Sequence, residues 1–183
     1  MIVIAIYLQL TSLIHSIPQN TNHHIWNVKT TTQLEKHRFI IFALQTDKLN
    51  QITKDPSKFV HYNISDLKVY LNSECYPYED MNLLFERNRY GVAYDAYTRF
   101  RSSYYNYPVA EPLLTLQEFK QKTTILIIDT RYQNENLKMG PVDVTTELKT
   151  SEMIPANTIA YRLMLHDRLV ELTPLSGELV KII

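Results

Sequence analysis

The stretches VDVTTEL (142–148) and TIAYRLMLH (158–166) decide the fold class of this chain, because apolar and polar residues alternate in both with a period of two. Successive side chains of a β-strand point to opposite faces, so this alternation predicts half-buried strands. Around them the sequence has no glycine-rich phosphate loop, no metal-ligand spacing and no nucleophile motif. These observations predict a β-rich structural or interaction protein.

Further strand candidates extend over the rest of the chain. RFIIFAL (38–44) is apolar on both faces and predicts a central strand covered on both sides. Turn-forming residues are dense in segment 45–66, which predicts a long surface loop. The remaining predicted strands are Ile25–Lys29, 67–71, 125–129, 142–148, 158–166, 168–173 and Glu178–Ile183, with a turn at Pro174–Gly177. The total is about eight strands.

Two helices interrupt this pattern. Between Asp80 and Tyr105 the tyrosines recur at helical spacing, which predicts an amphipathic helix lying on the sheet. Gly91 falls inside this predicted helix, where it predicts a break or bend. Thr115, with Glu118 three residues later, predicts a capping box and a short helix that runs to about Lys122. We find no internal repeat and no linker that would divide the chain.

Composition narrows the possible functions. The chain has 183 residues, enough for one domain with a sizeable core. Nineteen basic and nineteen acidic residues cancel, so no overall charge draws the protein to nucleic acid or to an anionic membrane. Thirteen tyrosines beside only three glycines favour packed strands and tyrosine-rich contacts. The single Cys75 cannot form an intrachain disulfide, and we predict an unreactive thiol.

The apolar N-terminal segment has two interpretations. Residues 1–14 could be the core of a signal peptide, yet no Lys or Arg precedes them and no small-residue cleavage site follows. Their alternating Ile and Leu residues fit a β-strand equally well, and they are too short to span a bilayer. We divide the chain into an N-terminal segment, 1–19, and a domain, 20–183.

Candidate chemical sites are weak in this sequence. The six histidines form no metal motif, and His23 and His24 would point to opposite faces of an extended strand. The carboxylates Asp129, Asp143, Asp167 and Glu171 lie at or near strands, where carboxylates are ordinarily solvated. We predict no catalytic residue, no metal ligand, no cofactor and no small-molecule substrate.

Surface contacts are a better candidate. Arg87, Arg89, Arg99 and Arg101 alternate with tyrosines, a mixture that single-stranded nucleic acid also attracts, but nearby acidic residues offset the charge. Protein interfaces enrich Tyr and Arg. The predicted contact residues are Tyr76, Tyr78, Tyr97, Arg99, Arg101, Tyr104 and Tyr105. Asn63-Ile64-Ser65 is a glycosylation sequon that matters only in the secretory pathway.

Four runs carry a resemblance to a known family: IWNVKTTTQLEKHRFIIFALQTDK (25–48), LKVYLNSECYPYEDMNL (67–83), RYQNENLKMGPVDV (131–144) and IPANTIAYRLMLHDRLVEL (154–172). Over about residues 20–183 the chain resembles the double jelly-roll-like proteins of insect genomes. Those proteins are similar to the major capsid proteins of Polinton (Maverick) elements and adintovirus-like DNA viruses. Members of the family continue upstream, so this chain looks like the C-terminal portion.

The resemblance implies an all-β fold: a jelly-roll β-sandwich of about eight antiparallel strands with one inserted amphipathic helix and one short helix. It also implies a non-enzymatic, capsid-type protein of viral or mobile-element origin that acts by self-association, as a homotrimer if the double jelly roll is complete. Nucleic acid is then expected only as a packaged genome, no membrane partner is expected, and the location is the virion or the cell interior. The alternative is a secreted β-sandwich binding module, and an enzyme ranks third.

Overall fold

The computed structural model describes residues 3–17, 21–29, 37–47, 53, 55–105, 111–132, 142–173 and 178–182. Within these residues it contains nine strands and two α-helices. They are, in chain order, β1 (Val3–Ser16), β2 (His23–Lys29), β3 (His37–Thr46), β4 (Ile64–Leu71), β5 (Glu74–Tyr76), α1 (Gly91–Tyr105), α2 (Leu116–Gln121), β6 (Ile125–Asp129), β7 (Asp143–Thr150), β8 (Thr158–Thr173) and β9 (Glu178–Ile182).

The first eight strands pair in a nested order. The first strand pairs with the eighth, the second with the seventh, the third with the sixth and the fourth with the fifth, and every pair is antiparallel. A chain paired in this way is one long hairpin, and rolling up that hairpin produces two sheets. The sheet orders are β1-β8-β3-β6, with β9 added beside β8, and β2-β7-β4-β5. This arrangement is a jelly-roll β-sandwich, as predicted.

The central position of β3 follows from its sequence. Ile40, Phe42 and Leu44 point into the main core between the sheets, and all three are almost fully buried. The alternate residue Phe39 joins a second cluster with Ile127 on the outer face of the same sheet. Both faces are therefore covered, which confirms the prediction from the apolar run 38–44.

The predicted strands 158–166 and 168–173 are in fact one strand, β8. On one edge it pairs with β1 over the whole length of β1. On the other edge it pairs first with β3 and then, from Leu169 onward, with β9. Because both edges of β8 have partners, the polar residues near Asp167 do not end the strand. The predicted turn Pro174–Gly177 lies outside the described residues.

The N-terminal apolar segment forms a strand. Residues Val3–Ser16 are β1, paired in register with β8 from Leu172 to Ile159. The described residues of this segment therefore form a β-strand, and the signal-peptide interpretation of residues 1–14 stays a prediction.

The main helix is shorter than predicted. Residues Phe85–Arg87 form a single 3₁₀ turn, and Asn88 follows with a φ of 55°. This left-handed conformation interrupts a right-handed helix. The helix α1 therefore begins only at Gly91, so the glycine starts the helix rather than bending its middle.

The short helix α2 begins as the sequence predicts. The Thr115 hydroxyl accepts a hydrogen bond from the backbone N–H of Glu118, and the Glu118 carboxylate accepts one from the backbone N–H of Thr115. These reciprocal bonds satisfy donors that a helix N-terminus leaves open. The Glu118 pKa falls to about 2, chiefly because Lys122 and Thr115 hydrogen bond to its carboxylate.

Substitutions on two neighbouring strands of the four-stranded sheet test which of its faces points into the core. Leu148 on β7 is fully buried between the sheets, whereas Ile25 on β2 is 58% exposed on the outer face. Leu148→Ala leaves a core cavity, so we expect it to lower the free energy of unfolding by about 2–5 kcal/mol. Ile25→Ala is the control, with an expected loss of at most about 1 kcal/mol. Urea unfolding measures both, and equal losses would contradict the assigned faces.

Candidate assembly surface

The helix α1 is held firmly on the outer face of the five-stranded sheet. The Phe100 ring contacts the Phe39 ring edge to face, with centroids 5.0 Å apart. The hydroxyl of Tyr94 donates a hydrogen bond to the Leu114 carbonyl at 2.8 Å, which ties the helix to the segment before α2. The opposite side of α1 presents Asp95 and Arg99 to solvent. A helix anchored in this way displays its outer side chains in a fixed arrangement.

Three of the predicted contact residues are exposed. Tyr78 is 72% exposed and Tyr104 is 37% exposed. The Arg99 side chain is 78% exposed, and its Nε lies 2.8 Å from a carboxylate oxygen of Asp95 one turn earlier in α1. Tyr104 and Arg99 belong to α1, whereas Tyr78 follows β5 in the other sheet. The structure therefore places the exposed candidates in two separate regions.

The other predicted contact residues have internal roles. Tyr76 is only 3% exposed, so its ring is not available at the surface of this fold. Burial raises the Tyr76 pKa, and so does the hydrogen bond to Glu74. Tyr97 packs on the Phe119 ring, and burial raises its pKa. Arg101 donates a hydrogen bond to the Glu111 carbonyl. Tyr105 ends α1, and its side chain lies outside the described part of the structure.

The outer face of the four-stranded sheet is polar. At its centre, the Glu147 carboxylate accepts hydrogen bonds from Tyr70 Oη at 2.8 Å and His23 Nε2 at 2.8 Å, and Lys149 Nζ lies 3.1 Å away. Burial opposes ionisation of Glu147, but these three partners outweigh it and lower the Glu147 pKa. The hydrogen bond to Glu147 also raises the Tyr70 pKa to about 12. This cluster was not predicted, because its members come from three different strands.

The core between the sheets contains a second unpredicted cluster. Arg162 on β8 is 1% exposed, and its Nη1 donates a hydrogen bond to the Thr146 hydroxyl at 2.6 Å. Close by, the rings of His15 and His24 stack on Trp26, with centroid distances of 5.9 and 5.7 Å. Burial lowers the pKa of both histidines, and the charge of Arg162 lowers the His15 pKa further. The only sequence signal was an arginine among apolar residues of a strand.

The glycosylation sequon lies beside a cleft of about 360 Å³ next to the 3₁₀ turn. The Asn63 amide nitrogen donates hydrogen bonds to carboxylate oxygens of Glu86 at 3.2 Å and Glu152 at 2.9 Å. A glycan on this nitrogen would replace at least one of these bonds. The secreted, glycosylated alternative stays a prediction.

The remaining candidate groups are the carboxylates near strands and possible metal ligands. Arg131 forms an ion pair with Asp129, at 2.6 Å between Nη2 and Oδ2. The side chains of Asp167 and Glu171 lie outside the described residues. In the described ranges, no three His, Cys, Asp or Glu side chains come close enough to hold a metal ion. No helix in this part of the chain has the length and apolar character needed to cross a membrane.

The nested antiparallel pairing in two packed sheets defines a jelly-roll protein. The chain belongs to the double jelly roll-like domain family, whose model matches residues 7–170. Its fold is similar to that of a chain in the 3.5 Å cryo-EM structure of the Sputnik virophage, with a TM-score of 0.57 and 11% sequence identity. The similarity covers 100% of this chain and 39% of that chain. No curated protein matches the sequence.

Three partly or fully buried histidines predict how the stability of the folded protein depends on pH. The pKa values of His15, His24 and His61 all lie below the ordinary 6.5, with burial as the main cause. Below about pH 6.5 the unfolded chain therefore binds more protons than the folded protein, so the stability from these groups is complete above that pH and decreases as the pH falls.

We expect the melting temperature to fall as the pH is lowered from roughly 7 to 5, a range above the ordinary carboxylate pKa values. The double variant His15→Phe/His24→Phe keeps aromatic rings beside Trp26 but removes two of the titrating groups. Its melting temperature should fall less over the same range in calorimetry. An equal fall in the variant and the natural protein would contradict this explanation.

Proposed function

We propose that this protein is a capsid-type structural protein that acts by self-association and catalyses no reaction. The nested pairing of eight strands into a jelly roll, in a chain of the double jelly roll-like family, is the observation that supports this proposal best. The fold is the only property that the similarity to the virophage chain contributes, because the sequence identity is low.

The length of the chain supports a specific proposal for the assembled unit. The chain spans about two fifths of the virophage chain, which fits one jelly roll of a double jelly-roll unit. We propose that the complete unit assembles as a trimer with pseudo-hexameric outline in a virion, and that it derives from a Polinton (Maverick) element or related virus of an insect genome. Nucleic acid would then be enclosed as a genome, and no membrane partner is proposed. The division into segments 1–19 and 20–183 stays a prediction.

We base the proposed subunit contacts on those predicted contact residues that are exposed. Tyr78, Arg99 and Tyr104 offer large amphipathic side chains, and residues of these two types carry much of the binding energy in protein interfaces. The rigid anchoring of α1 reduces the entropy lost when a second subunit binds to Arg99 and Tyr104. Tyr97 and Arg101 would support the helix from behind, because both contact the segment between α1 and α2 or α2 itself.

Sedimentation of the purified chain over a wide concentration range tests this proposal. We expect reversible oligomers, and we expect the triple variant Tyr78→Ala/Arg99→Ala/Tyr104→Ala to raise the dissociation constant at least about tenfold, since interface Tyr and Arg residues often contribute over 1 kcal/mol each. Tyr132→Ala is the matched control, because Tyr132 is 81% exposed and lies outside the predicted set. A stable monomer at the highest concentrations would contradict self-association of this chain.

The proposal that this chain belongs to a double jelly-roll unit has its own test. That test is the DNA sequence upstream of the Met1 codon together with the 5′ end of the transcript. We expect coding sequence for a further set of strands upstream, in frame or in a shifted frame. A transcript that begins at the Met1 codon with no such coding sequence before it would contradict this part of the proposal.

A further inference from the structure

The centre of the sandwich contains an arginine where a jelly-roll core would ordinarily be apolar. Arg162 lies on β8, in register with Leu13 of β1 on one side and Phe42 of β3 on the other. Its partner Thr146 occupies the corresponding place on β7, between Trp26 of β2 and a residue of β4. Both Arg162 and Thr146 are almost inaccessible to solvent.

The guanidinium of Arg162 is only partly satisfied. Its Nη1 donates to Thr146, but Nε and Nη2 are buried and have no hydrogen-bond partner. Burial lowers the Arg162 pKa to about 10, so the group still carries its charge at neutral pH. Buried charges in proteins are nearly always paired, because an unpaired ion and its unmade hydrogen bonds cost several kcal/mol. The described residues provide no carboxylate in an ion pair with Arg162.

Arg162 lies near one side of the sandwich. In the described part of the chain, β1 is an edge of one sheet and β2 is an edge of the other, and Arg162 lies one strand in from that side. His15 and Trp26 line this side, and each is only partly buried. The Nε2 atom of His15 is itself buried without a hydrogen-bond partner. Leu13 lies opposite Arg162, and His15 is two residues further along β1 on the same face, so His15 and Arg162 are diagonal neighbours across the two strands.

The geometry points to a binding site for a small oxyanion between the two sheets, held by the Nε and Nη2 atoms of Arg162 and by His15 Nε2. These two arginine nitrogens form a planar fork that matches two oxygens of a carboxylate or phosphate. His15 supplies a third donor in the tautomer protonated at Nε2. A water molecule could accept the same hydrogen bonds, but only an anion also neutralises the buried charge. This site is independent of the proposed assembly.

Acetate and inorganic phosphate are the probes for this site. Each probe is titrated into the protein in place of a bulky sulfonate anion, so that the ionic strength stays constant. We expect a saturable rise in melting temperature, roughly 3–6 °C at ten times the dissociation constant. Trp26 is the only tryptophan of the chain and stacks on His15, so its fluorescence should change over the same concentration range.

Variants separate this site from general salt effects. Arg162→Met should abolish the saturable response, and it should be at least as stable as the natural protein in the sulfonate buffer, because a buried unpaired charge is removed. Arg89→Met makes the same replacement at an exposed position and should leave the response unchanged. His15→Phe keeps the ring stacking but removes one donor, and should weaken anion binding by about fivefold.

Two outcomes would overturn the proposal. One is a natural protein whose melting temperature and Trp26 fluorescence show no saturable dependence on either probe, which would leave water as the acceptor for Arg162. The other is a variant that responds to the probes in the same way as the natural protein. This holds for His15→Phe, and for Arg162→Met where that variant folds. Self-association is measured in a separate experiment, so failure here says nothing about the proposed assembly.

Discussion

The backbone pairing of β8 is the constraint on which the rest of the structure depends. β8 pairs with β1 along one edge and with β3 and then β9 along the other. Its register fixes one row of side chains across the sheet, formed by Leu13, Arg162 and Phe42. A slip of one residue would turn every side chain of β8 to the other face, since strand side chains alternate. Arg162 would then leave the core, and the pairing with Thr146 would be lost.

The two sheets differ in how their outer faces are covered. Phe39, Ile127 and Leu165 make the outer face of the five-stranded sheet apolar, and α1 packs over part of it through Ala96 and Phe100. The outer face of the four-stranded sheet has the polar network around Glu147 at its centre. A helix packed on one side and a charged face on the other give the sandwich two chemically distinct surfaces. The helical side supplies most of the exposed contact candidates of the proposed assembly.

Local sequence signals predicted the elements that depend on local physics. The capping box at Thr115 and Glu118 is confirmed, because its hydrogen bonds lie within four residues. The central strand Arg38–Leu44 is confirmed, because a run apolar on both faces needs cover on both sides. The start of α1 was placed too early, since helical spacing cannot reveal the left-handed backbone at Asn88. The interface residues were only partly placed on the surface, because Tyr76 fills the core while Tyr78, two residues later, is exposed.

By itself, the sequence determined the strand-rich composition, the two helices and the resemblance to the double jelly-roll family, since alternation, caps and family motifs are all written in linear order. Only the tertiary structure decided which face of each strand became the interior. On β8 the residues Tyr161, Leu163 and Leu165 are collectively more apolar than Ala160, Arg162 and Met164, yet the second set lies between the sheets. The physical reason is that both faces of a central strand are covered, so hydrophobicity alone does not choose between them. Pairing with distant strands makes that choice, and it places a charged side chain at the centre of the sandwich.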